Sequence, residues 1–94
     1  MARLGSQDRL RALLVDPGAL STFILERIAP RGVTRVDEST SLVESGWLDS
    51  FGVVDLVVFL EREFGVVLRD EDVIPENFET LETIHELVHR ATRR

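Results

Sequence analysis

Two short stretches hold residue types that could do chemistry. The first is Gly46-Trp47-Leu48-Asp49-Ser50-Phe51-Gly52. Its serine hydroxyl is a candidate nucleophile or point of covalent attachment. The second is His85-Glu86-Leu87-Val88-His89, the H-E-x-x-H pattern. On a helix it sets two imidazoles one turn apart, with Glu86 able to act as a base.

Neither stretch reads as an enzyme centre. Ser50 is not in G-x-S-x-G, and no strand signal precedes it. No third zinc ligand is evident after His89, and a helical apolar stripe already explains Leu87 and Val88. His85 and His89 then read as polar-face residues, and no metal is expected. Asp70-Glu71-Asp72 lacks the glycine and later glutamate of a calcium loop, so it reads as solvated surface or partner contact.

The element that must position Ser50 is a helix over residues 50–64. Its valines alone suggest a strand. Asp49 as N-cap, Gly65 as C′ residue and the spacing of Leu56, Leu60 and Phe64 decide for helix. Residues 31–49 are polar and mixed, a long loop of the kind that carries function or is disordered. Ser50 is therefore expected exposed at a helix start, where the first N–H groups lack internal partners and the dipole favours an anion. A phosphate on Ser50 would suit that end. From Asp-Ser alone, an ordinary capping serine reads as well.

The other elements are also helical. Residues 6–15 form a candidate short helix, capped by Ser6, with Leu10, Leu13 and Leu14 on one face. Asp16 and Pro17 can start the next helix, which carries Leu20, Phe23, Ile24 and Ile28 and ends at Pro30 and Gly32. A short helical turn is expected around Val73 and Ile74. A last helix begins after Thr80 and buries Leu81, Ile84, Leu87, Val88 and Ala91. Glu82 in its first turn and Arg90, Arg93 and Arg94 near its end suit the helix dipole. The fold class is a small all-α bundle.

Composition narrows the class further. The 94 residues allow one small core, and with no cysteine there is no disulfide or thiolate zinc site. Net charge is −6, unevenly spread. Residues 1–36 carry six arginines against three acids, and residues 37–94 carry five against fourteen. The acidic part repels nucleic acid and attracts basic protein surfaces. The longest apolar run, residues 56–60, is too short to span a bilayer, and no apolar h-region follows residues 1–6. A cytoplasmic, soluble chain is expected.

Residues 48–66, from Leu48-Asp49-Ser50-Phe51-Gly52 to Glu63-Phe64-Gly65-Val66, resemble the acyl carrier proteins. In that family Asp-Ser-Leu heads the second helix, and an acidic, apolar-striped helix ends in Glu-Phe-Gly. The resemblance covers roughly residues 19–91. It implies a four-helix carrier bundle with a long loop between the first two main helices and a short third helix. The carrier domain is expected over 16–94, with 1–15 as an N-terminal extension. The resemblance also implies a 4′-phosphopantetheine arm on Ser50, taken from coenzyme A. Phe51, Val54 and Val58 become an apolar contact patch, with Asp49, Asp55 and Glu61 as an acidic ring. Periodicity alone would place that stripe in the core.

The implied role is a monomeric shuttle rather than a catalyst, holding an acid as a thioester. Its partners are a phosphopantetheinyl transferase, an AMP-forming acyl or aminoacyl ligase, and downstream acyl-transferring, condensing or tailoring enzymes. Phe51 and Gly52 in place of the usual leucine frame, and an aromatic before the last helix, are similar to D-alanyl and related small-acyl carriers. Trp47, Phe51, Phe59 and Phe78 are expected to fill space that a long acyl chain would need. A polyketide or fatty-acid carrier is the alternative. A cofactor-free helical interaction module is the remote one.

Overall fold

The computed structural model describes residues 18–93. The helix expected over 6–15 and the Asp16–Pro17 start lie outside the described residues. Helix α1 spans Gly18–Phe23 and continues as a π-helical turn, Ile24–Ile28. Helix α2 spans Ser50–Phe64 and α3 spans Leu81–Arg93. Two 3-10 turns, Asp70–Asp72 and Pro75–Phe78, stand between α2 and α3. No strand occurs among the described residues. This is the all-α carrier-type bundle that the sequence implies, with the short third helix realised as a pair of turns.

Each helix ends for a local reason. The Ala29 N–H reaches Ile24 O at 2.7 Å, closing the wide turn. Pro30 has no N–H and holds Ala29 extended at ψ 151°, so α1 stops at Ile28. At the far end of α2, Gly65 takes the left-handed φ of 67° and its N–H bonds Glu61 O. Helix α3 is capped reciprocally. Thr80 Oγ1 accepts the Thr83 N–H at 3.1 Å, and Thr83 Oγ1 accepts the Thr80 N–H at 3.0 Å. Thr83 thus stands where a capping box usually has Glu or Gln.

The core is one cluster. Leu20 and Ile24 of α1, Leu56, Leu60 and Phe64 of α2, and Leu81, Ile84, Leu87, Val88 and Ala91 of α3 meet in it. The long loop contributes Leu42, which is fully buried. The Leu42 N–H bonds Glu79 O at 2.7 Å, and the Leu48 N–H bonds Leu42 O at 3.0 Å. The loop is thereby fastened to the turn before α3.

The structure corrects two expectations about residues 69–79. The turns flank Val73 and Ile74 instead of centring on them. Pro75 fits the first position of a helical turn, where no N–H is needed. Asp72 is not solvated surface but buried, and its Oδ2 accepts the Arg69 N–H at 2.8 Å.

Leu60 is fully buried at the middle of α2. Leu60→Ala should cost about 2–5 kcal/mol, the range for a deleted core leucine. Urea unfolding followed by circular dichroism measures it, and a loss below about 1 kcal/mol would contradict the packing described.

Candidate functional site

Asp49 and Ser50 divide the start of α2 between them. Asp49 lies outside the helix at φ −109°, ψ −175°, and its Oδ1 accepts the Gly52 N–H at 2.8 Å. Asp49 is therefore the cap, and Ser50 is the first helical residue. The Val53 N–H closes the first turn on Asp49 O at 2.9 Å. The N–H groups of Ser50 and Phe51 and the Ser50 hydroxyl form no hydrogen bond with a described residue. The Ser50 side chain stands exposed. Three other described serines are engaged: Ser21 and Ser45 donate to backbone oxygens, and Ser41 accepts a backbone N–H.

Gly52 is buried because the helix start is pressed onto its neighbours. A Cβ there would lie 3.1 Å from Leu48 Cδ1 and 3.2 Å from Ile28 Cδ1. Glycine after Phe51 is thus explained by close packing of α2 on α1 and the loop.

Beside Ser50 lies an open groove of about 320 Å³. Its walls are mainly apolar: Leu48 and Val53 on the α2 side, and Val73, Ile74, Pro75 and Phe78 across from them. Of the four aromatics expected to fill such space, only Phe78 lines it. Phe59 stacks on Phe23 at 4.2 Å, Trp47 packs against the core, and Phe51 points to solvent.

The other residues singled out on α2 fall on its outer faces. Phe51 is 83% exposed, Val54 62% and Val58 45%. They form an exposed apolar stripe, and Leu56, Leu60 and Phe64 face the core. Asp55 is exposed and lines a cleft beside Val58. That cleft also contains Arg27 and Arg62, so the charge around the stripe is mixed rather than purely acidic. Glu61 is half-buried and its Oε2 accepts the Leu68 N–H at 2.9 Å. It therefore holds the chain beyond α2 as well as carrying charge. On α3, His85 is half-buried with Nδ1 3.5 Å from a Glu38 carboxylate oxygen, and His89 and Glu86 are exposed. No cluster of three metal-binding side chains occurs among the described residues.

A family model described as a phosphopantetheine attachment site matches residues 22–91. The chain belongs to this acyl carrier protein family. No curated protein and no solved structure matches it. The family carries a covalently attached 4′-phosphopantetheine. The start of α2 fits that group. It offers an unengaged hydroxyl, two free N–H groups at the positive end of a 15-residue helix for a phosphodiester, and an adjoining apolar groove. Carrier function implies contact with a phosphopantetheinyl transferase and with further enzymes. No helix of the described residues is long and apolar enough to cross a membrane.

The exposure of Val58 generates a prediction. Val58→Asp should change unfolding free energy by about 0.5 kcal/mol or less, as for surface changes, and should slow cargo loading. Wholesale unfolding in circular dichroism would show that the valine belongs to the core.

Proposed function

We propose that Ser50 carries the phosphopantetheine arm and that the chain shuttles an activated acid between enzymes. The observation that carries this is the unengaged Ser50 hydroxyl at the first turn of α2, one residue after the capping Asp49. Bound there, the group supplies a terminal thiol on which an acid is held as a thioester. The protein supplies the address and the tether, raising the effective concentration of the cargo at each partner. The chain is a substrate shuttle rather than a catalyst, acts as a monomer in the cytoplasm, and has its carrier domain over 16–94.

Phe51, Val54 and Val58 are proposed as the apolar contact for partners, with Asp49, Asp55 and Glu61 supplying acidic contacts. Such contacts steer association and select partners more than they tighten binding. An AMP-forming acyl or aminoacyl ligase loads the arm, and acyl-transferring, condensing or tailoring enzymes unload it. The frame Asp49-Ser50-Phe51-Gly52 supports a small acyl or aminoacyl cargo, as in D-alanyl carriers. One observation favours a second reading. The groove beside Ser50 is walled by apolar side chains and is not filled by aromatics, which suits the acyl chain of a fatty-acid or polyketide carrier.

Incubation with a phosphopantetheinyl transferase and coenzyme A should add one arm, mapped by peptide mass to Ser50. Ser50→Ala should abolish the addition. Ser39 is also exposed and makes no hydrogen bond with a described residue. An arm found there, or retained by Ser50→Ala, would overturn the assignment.

Thermal unfolding of unloaded, aminoacyl and octanoyl forms separates the two cargo classes. A small cargo held at the surface should leave the melting temperature unchanged in both loaded forms. A large rise with octanoyl alone would establish the apolar-chain reading, since a ligand bound only by the native state stabilises it.

A further inference from the structure

On the flank of α2 that faces α1, the two elements leave an open cleft of about 510 Å³. Its floor is the stacked pair Phe23 and Phe59, each only half-buried. Its rim carries Arg27 from the π-helical turn and Asp55, Arg62 and Glu63 from α2. All four are exposed, and none forms an ion pair with another described residue. Among the described residues, then, the two guanidiniums have no carboxylate partner, although two carboxylates share their rim.

The cleft is continuous with the exposed apolar stripe, because Val58 belongs to both. Asp55, Val58 and Arg62 follow at i, i+3 and i+7 and so share one edge of α2. Arg62 extends the line of Phe51, Val54 and Val58 by one turn. A surface that covers Val58 therefore draws water away from Arg62 and, across the cleft, from Arg27. Desolvating a guanidinium without giving its N–H groups an acceptor is costly. A carboxylate is the acceptor that matches its planar fork, through two parallel N–H···O bonds. A partner face that is basic throughout would meet like charge at both arginines and be repelled from this flank.

We propose that the enzyme that loads the arm docks over Val58 with carboxylates opposite Arg27 and Arg62 and an apolar side chain over the Phe23–Phe59 floor. This rests on the partner-contact reading of Phe51, Val54 and Val58, and it names the chemistry of that contact. The docking face is mixed in charge: basic groups meet the acids of α2, and acidic groups meet the cleft arginines. Arg27 and Arg62 thereby select this partner against a uniformly basic one.

Charge reversal reads the sign of the partner's face. Loading of the arm is measured against carrier concentration for the parent chain, for Arg27→Glu combined with Arg62→Glu, and for Val58→Asp. The double reversal should raise KM for the carrier several-fold at unchanged kcat, which is lost docking rather than altered chemistry. Its far-UV circular dichroism should match the parent, since both arginines are exposed. A lower KM would mean a basic face over the cleft and overturns the proposal. An unchanged KM overturns it too, and Val58→Asp then separates the two levels. If Val58→Asp alone raises KM, the stripe stands as a contact and only the cleft is removed. If neither variant changes KM, the contact reading of the stripe falls as well.

Discussion

Gly52, Leu56, Leu60 and Phe64 recur every four residues, and their burial sets the rotation of α2 about its own axis. Each of the large side chains gains about 1.5–3 kcal/mol by leaving water. A slip by one residue turns the helix by about 100° and would take all of them out of the core together. The same rotation sends Phe51, Val54 and Val58 outward. One helix cannot bury both sets against the same neighbours, so the exposed stripe follows from the buried one. An apolar stripe left in water beside Ser50 is the kind of exposed surface that elsewhere marks a contact site.

The start of α2 shows how one turn can be capped and still leave a hydroxyl exposed. A helix N-terminus has N–H groups to satisfy. Asp49 satisfies Gly52, and close packing of Leu48 and Ile28 over Gly52 fixes where the first turn sits. Because the neighbour does the capping, Ser50 is released from it. A serine that capped its own helix would have its oxygen committed to a backbone N–H, as Thr80 has. Moving the cap one residue upstream leaves the hydroxyl in solvent and keeps the helix dipole pointed at it.

Much of this is legible in the sequence because it rests on local chemistry. Asp49, Gly65 and Thr80 announce helix ends through side-chain type alone, and the four-residue spacing of Leu56, Leu60 and Phe64 gives the buried face. What escapes the sequence is tertiary. Leu42 sits in a polar loop with no periodicity, and only its contact with the turn before α3 makes it core. The π-helical turn at Ile24–Ile28 changes the spacing without changing the residue types. Asp72 lies in an acidic run that reads as surface, yet it is the one acid that turns inward to hold Arg69. The groove beside Ser50 and the cleft beside Phe59 are spaces between elements, and no window along the chain contains them.

The groove also differs in kind from the core that positions it. Its inner wall is Leu48 and Val53, set by the rigid start of α2. Its outer wall is Val73, Ile74 and Pro75, in a stretch where every residue from 69 to 76 except Asp72 is exposed. That wall hangs on a few polar ties. Glu61 holds the Leu68 N–H, Asp72 holds the Arg69 N–H, and Asn77 bridges the two sides. The Asn77 Nδ2 donates to Asp72 O at 2.8 Å, and its Oδ1 accepts from Arg90 at 3.1 Å. Segments with few buried apolar contacts and exposed hydrogen bonds open at low free energy. The outer wall is therefore held by these ties and by the buried ring of Phe78, a different set of residues from the Leu56, Leu60 and Phe64 that set the rotation of α2.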